Sequence, residues 1–505
     1  MKKNTLRIIA CAVVGVGSLV AQQTSTAATY TWTGGGGANV NWNAPANWGT
    51  VSTYPSAPGD VANLNIDFAA AVTLSMYSGS PTCGILNWGD STQTGGVYQA
   101  VGVSGTNGGG TITFNNNGSG AQINHVASGA ATDNMRCNVI LQDNLTINVA
   151  SSSYNIKLWG AITESGGSYG ITKTGPGYLS IEPAGGASNW TGLTTLNAGR
   201  IQVASNAGNN GITGNILVNG GRLQNSSSDA IADTANIEFE GGDWNMGGPG
   251  NNETIASLSG AATTPDIFSG ATVPAGVVGT LTLAATTGTT SYAGTFGVNN
   301  ALALSKTGGS TQTLAGTRAN VLSSVSVTGG TLELNKTAGV NALSGPITVG
   351  NGAGAGKIRL LASNQMADGS AFTFNGGTLD TNGFSETLST LTNSGASTID
   401  MGAGASILTF ANSSGQTWSG SIQILNWSGL TAGGGTDQLL FGAGGLSTGQ
   451  LAMVSFVNPT NYAPGTYGAT ILPSGEVVAA VPEPAIIGTL AASGLLALRR
   501  RRTRA

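Results

Sequence analysis

Catalytic chemistry needs groups that can trade protons or attack, and this chain of 505 residues holds few of them. His125 is the single histidine, so a Ser-His-Asp relay would have to pass through it. Asn124 and Asp133 stand near it in sequence, too little on their own to mark a triad, and catalysis through His125 is not expected. The acids are scattered, as at Asp60, Asp67, Asp90, Asp133 and Asp143. Glu238-Phe239-Glu240, with Asp243 close by, is the densest acidic group, and the reading here is an exposed strand edge. Arg200 and Arg222 lie one repeat apart and read as solvated corner residues. Gly433-Gly434-Gly435-Thr436-Asp437 has the look of a calcium-binding turn but occurs once and out of register, so no metal is expected. No cofactor motif stands between a strand and a helix.

Cys83 and Cys137 are the cysteines of the body, Cys11 falling in the leader. In an exported protein they form either a disulfide or a pair of buried free thiols, and the sequence does not choose. With one histidine they make a poor metal set. Four tryptophans, Trp32, Trp42, Trp48 and Trp88, gather near the N-terminus. Flat aromatic faces can stack on sugars, but large rings also suit the closing of an open core end, and capping is the expectation.

These residues must be positioned by a glycine-rich frame. Gly numbers 81 and only 8% of residues are charged, while 40% are hydrophobic. Disorder goes with high charge and low hydrophobicity, so a folded, turn-rich β-protein fits better. A short unit recurs at Gly199-Arg200-Ile201-Gln202-Val203, Gly220-Gly221-Arg222-Leu223, Gly241-Gly242-Asp243-Trp244, Gly329-Gly330-Thr331-Leu332 and Gly376-Gly377-Thr378-Leu379. Its spacing is close to multiples of 22 residues. Glycine permits a left-handed corner, and the alternation after it turns one face inward as a strand requires. Coils of that length cannot bury a face alone but build a continuous core when stacked. The expected fold is all-β, an elongated parallel β-helix (β-solenoid) over residues 29–480. At about 4.8 Å per rung, about 20 coils would make a rod of about 100 Å. A propeller or several sandwiches are the rival architectures.

The two ends read differently. Residues 1–28 have a basic start (Lys2, Lys3, Arg7), an apolar run from Ile8 to Ala21 and a small-residue site, the layout of a signal peptide with a short helix. Residues 481–505 open with Val481-Pro482-Glu483-Pro484, continue as the apolar run Ala485–Leu498 and close on Arg499, Arg500, Arg501 and Arg502. The run is a marginal span, a short C-terminal transmembrane helix, and the arginines would stay on the cytoplasmic side. Setting both ends aside leaves ten basic and 21 acidic residues, a net charge of −11 for the body. Such a surface does not neutralise a phosphate backbone, so nucleic acid is not an expected partner.

The order of motif, apolar run and arginine cluster resembles the PEP-CTERM sorting signal of Gram-negative bacteria. The resemblance implies recognition of Pro482, Glu483 and Pro484 by an exosortase, after export by the secretion machinery and a stay in the inner membrane. The body resembles the autotransporter-associated β-strand repeat family. Ile171-Thr172-Lys173-Thr174-Gly175-Pro176-Gly177-Tyr178-Leu179 through Ile201-Gln202-Val203 is the clearest copy, and a weaker one begins at Leu304-Ser305-Lys306-Thr307-Gly308. That resemblance implies a β-helical passenger and carries no catalytic residues. The outer-membrane barrel of a true autotransporter has no counterpart in this chain. The leading expectation is therefore a non-catalytic structural or adhesive protein of the cell surface or extracellular matrix. The alternative is a carbohydrate-active β-helix enzyme or a polysaccharide-binding module.

Overall fold

Strands whose side chains alternate in and out need a partner surface on the inner side, and here each wall supplies it to the others across a narrow interior. The computed structural model describes residues 26–481, apart from 35–39, 51, 66–71, 77–78, 90–98, 102–107, 127–131, 154, 206–209, 249 and 271–276. Residues 1–25 and 482–505 lie outside the described residues, and with them the two expected terminal helices.

The architecture is a parallel β-solenoid. In the first half, one ten-stranded parallel sheet runs from Thr29–Thr31 to Ser257–Ser259. A second runs from Val72–Leu74 to Thr295–Phe296, and a four-stranded sheet around Asn138–Leu141 forms the third wall. In the second half the walls continue as a seven-stranded sheet, from Glu253–Ile255 to Leu391–Asn393, and a ten-stranded one that starts at Thr289–Tyr292. Among the described residues the helices are one 3-10 turn, Pro45–Trp48, and one short α-helix, Thr448–Leu451.

The pleat explains the core. In Arg200–Val203, Ile201 and Val203 are fully buried while Arg200 and Gln202 face out, and Leu223 stacks directly on Ile201 in the next turn. The corners explain the glycines. Gly221 and Gly242 have φ of 80° and 70°, and a Cβ on Gly221 would lie 2.4 Å from the Gly199 carbonyl oxygen. Both the left-handed backbone and the close stacking of turns therefore demand glycine there. At Gly376-Gly377 the left-handed residue is Gly376, one position before the one that the repeat alignment selects.

The solenoid has fewer turns than the about 20 that a uniform 22-residue period implies. The reason is unequal turn length. Tyr178 and Arg200 are 22 residues apart and Arg222 and Asp243 are 21, but Asn63 and Asn87 are 24 apart and Asn87 and Asn124 are 37. These three asparagines form a side-chain ladder on the first wall, with Nδ2–Oδ1 distances of 2.7 and 3.0 Å, that carries the register past the long excursion.

Both ends of the described stack are closed. Trp48 sits edge-on to Trp32 and Trp42 at 5.2 and 4.8 Å between ring centroids, and all three are buried. The indoles of Trp42 and Trp48 donate to the carbonyls of Pro55 and Trp42. The tryptophans thus cover the first turn, as an exposed apolar end requires. At the other end Val454–Val457, Thr466–Ile471 and Val477–Ala479 pair antiparallel, replacing the stacking edge that a further parallel turn would use.

Candidate functional site

Most groups that could do chemistry are spent inside the wall. His125 Nε2 and Asp133 Oδ2 are 2.7 Å apart with both side chains fully buried, and Trp88 stands edge-on to the imidazole at 6.0 Å. The pair is part of the packed core. Two serines have Gly-x-Ser-x-Gly spacing, Ser168 and Ser447. Ser168 accepts from the Thr191 hydroxyl at 2.8 Å, and Ser447 caps the helix Thr448–Leu451 in a reciprocal box with Gln450. Neither faces His125.

Cys83 and Cys137 are buried free thiols, so the disulfide alternative is not the one adopted. Cys83 lies opposite Phe114 on the third wall, and Cys137 just before the strand Asn138–Leu141, two rungs further on in the same wall. Bridged cysteines need Cα atoms within about 7 Å. Burial pushes the Cys137 thiol up to about 12 and Cys83 further still, with Asp60 adding to the latter, so neither is a ready nucleophile.

The inner acids serve the corners. Asp60 accepts the amides of Ala28, Ser56 and Ala57, each at 3.0 Å. Asp143 accepts those of Asn116, Gly118 and Gly120, and Asp437 those of Ser406 and Ser428. Asp437, the acid of the expected non-binding turn, is thus a corner clasp. Glu253 holds the Asn225 amide at 2.5 Å and the Ala230 N–H at 2.9 Å, and Glu386 holds the N–H groups of Gln365 and Met366 at 2.7 and 3.1 Å. Burial raises Glu253 to about 8 and Glu386 to about 7, against the pull of those donors.

Buried lysines are the counterpart. Lys173 Nζ donates to the carbonyls of Thr174, Gly175 and Ala198 at 2.6, 2.8 and 3.3 Å. Lys306, at the same place in the weaker repeat copy, donates to Gly308, and Lys336 to Gly294 and Ala315. Burial lowers all three to about 8. They satisfy carbonyls that the tight corner turns away from the sheet ladder.

Outward-facing polar and charged groups line the outer side of the second wall. Thr132, Asn155, Tyr178, Arg200, Arg222 and Asp243 stand in one row across adjacent strands, and Asn134, Lys157, Ser180, Gln202, Gln224 and Asn245 in the next. Arg200 lies over the Tyr178 ring at 4.0 Å, and Arg222 reaches Asp243 at 3.4 Å. Lys157 pairs with Glu182 at 3.0 Å, and Lys157 and Arg136 flank the half-buried Trp159 at 4.7 and 4.9 Å. Two hollows open on this face, one of about 360 Å³ bounded by Tyr178, Arg200, Arg222 and Asp243 and one of about 140 Å³ bounded by Tyr178, Lys157, Glu182 and Gln202. They share Tyr178.

Sequence reasoning found Arg200 and Arg222 and read them as corner residues. The structure places them side by side in this face, and it ties Asp243 to Arg222 rather than to Glu238 and Glu240, which are exposed on another wall. It missed Tyr178, Trp159, Lys157 and Glu182, which writing the chain in rows of 22–23 residues would have aligned. The face offers no close carboxylate pair: Glu182 and Asp243 are three rungs apart, about 14 Å at the usual rung spacing. Glycoside hydrolysis uses carboxyls about 5–9.5 Å apart. Pro482, Glu483, Pro484 and Arg499 to Arg502 lie outside the described residues. Asp67 and Asp90 do too. No family model matches the chain, and neither a curated protein nor a solved structure is significantly similar to it.

Proposed function

We propose that the chain is a non-catalytic structural or adhesive protein, exported and then held at the cell surface or in the extracellular matrix of a Gram-negative-type bacterium. In this reading residues 1–28 direct export and the apolar run 485–498 halts in the inner membrane. Exosortase then recognises Pro482, Glu483 and Pro484 and releases the body. The observation that carries the non-catalytic part is the fate of the carboxylates: Asp60, Asp143, Glu253, Glu386 and Asp437 clasp backbone corners, Asp133 is enclosed against His125, and Glu182 and Asp243 on the outer face of the second wall are paired with cations and three rungs apart. A long stack of parallel walls suits a scaffold, whose work is to present surface.

Mass spectrometry of the C-terminus of the native protein, recovered from the cell surface, tests the sorting step. The expected chain ends near residues 481–484, and recovery of the tail through Ala505 would refute the processing. Incubation of the full chain with a panel of polysaccharides tests the other half. Release of new reducing ends, abolished by Glu182→Gln, would replace the scaffold with an enzyme.

A further inference from the structure

We propose that the outer face carrying Lys157, Tyr178, Arg200 and Arg222 is a binding site for an acidic polysaccharide, a chain whose sugar residues bear carboxylates. Three independent observations meet there.

The first is charge. The body carries ten basic residues, and Lys173, Lys306 and Lys336 are buried as corner clasps. Of the other seven, Arg136, Lys157, Arg200 and Arg222 cluster on this face, with Glu182 and Asp243 as the acids nearest to them. A net positive patch on a body of charge −11 concentrates anions against the overall sign of the molecule.

The second is an unsolved repulsion. Arg200 and Arg222 are directly paired on neighbouring strands, an arrangement that is destabilising for like charges. Asp243 answers Arg222 and Tyr178 receives Arg200, each from the side away from the other arginine. Arg222 Nε is shielded from solvent without a hydrogen-bond partner. A ligand carboxylate in the larger hollow supplies both the missing charge and an acceptor, in the forked geometry that guanidinium favours.

The third is shape. The two hollows lie side by side on this face, the larger towards the glycine corners and the smaller further along the strands, and they share the Tyr178 ring, with Trp159 in the Lys157 rung at the edge of the face. Rungs about 4.8 Å apart repeat at nearly the length of one sugar in an extended chain. Consecutive sugars would then meet equivalent rows of amide and hydroxyl groups, Ser180, Gln202 and Gln224, that can hydrogen-bond to ring hydroxyls. A peptide offers no such match to a single-width row.

The inference rests on the surface-or-matrix reading only for where the ligand is met, and its test is separate from the C-terminal mass measurement. The full chain, purified in mild detergent, is titrated calorimetrically with alginate and polygalacturonate oligosaccharides and with neutral cello-oligosaccharides. The acidic chains are expected to bind, more weakly as salt rises, and the neutral ones at least about tenfold less tightly. Arg200→Gln and Lys157→Gln should each lower the affinity about three- to tenfold without moving the melting transition, and Glu238→Gln on the first wall should leave it unchanged. Should Arg200→Gln unfold early, Lys157→Gln still decides. Absence of binding, equal binding of neutral chains, unchanged affinity in both variants, or preference for polyphosphate or DNA over the uronates would each overturn the assignment.

Discussion

Glu253 and Glu182 belong to the same solenoid and have opposite surroundings. Glu253 is enclosed, accepts from Asn225 and the backbone of Ala230 and Ile231, and is raised to about 8 by burial. Glu182 is partly open to water and holds Lys157 at 3.0 Å. The lysines divide the same way: Lys173 is buried against corner carbonyls, whereas Lys157 lies over Trp159 on the outer face. Residue type therefore says little about role in this molecule. The side of the wall to which the pleat assigns a residue decides whether its charge maintains the frame or meets a ligand.

Four measurements can break that division or sharpen it. The largest effect belongs to packing. Leu223→Ala, in a core position stacked on Ile201, should cost about 2–5 kcal/mol, read as a lower midpoint in urea denaturation. Next comes the loss of an inner clasp. Glu253→Ala leaves the Asn225 amide and two backbone donors without their acceptor, and should cost about 1–3 kcal/mol by the same measurement. A neutral result there would mean that the corners hold without their clasps.

The third is pH dependence. Glu253 and Glu386 have folded values raised to about 8 and about 7 from an ordinary 4.5, so between those limits the folded chain holds protons that the unfolded chain has released. Their contribution is complete below pH 4.5 and is lost as pH rises through 7 to 8. Lys173, Lys306 and Lys336 are lowered to about 8 from 10.5, so between these limits the unfolded chain binds more protons and stability rises with pH. Denaturation midpoints should therefore pass through a minimum near pH 8. Glu253→Gln with Glu386→Gln should flatten the acid side, and Lys173→Met the alkaline side. A midpoint that falls steadily from pH 8 to 10.5 would contradict the lysine half.

The smallest effects belong to the outer face. Gln224→Ala should stay within about 0.5 kcal/mol of the parent, and Glu182→Ala within about 1 kcal/mol because its ion pair is partly solvated. Larger losses in denaturation would make this face part of the frame and weaken its claim to a ligand.

Much of the frame was legible before any coordinates. The glycine corners at Gly199, Gly221 and Gly242, the inward Ile201 and Val203, and the capping tryptophans follow from local rules of backbone freedom, alternation and burial. The 37-residue step between Asn87 and Asn124 was not legible, since an outward excursion changes the spacing without disturbing the stack. The face was half legible. Arg200 and Arg222 are visible at 22 residues, but Tyr178, Lys157 and Glu182 look like ordinary residues of a polar alternation until the register stacks them.

Local chemistry by itself determined that the chain makes short strands with one apolar face and left-handed glycine corners, because those depend on each residue and its neighbours. Only the tertiary structure decided which charges are enclosed and which stand together outside. Burial and rung-to-rung contact depend on the exact length of every turn, and one residue more or less sends a side chain to the other side of the wall.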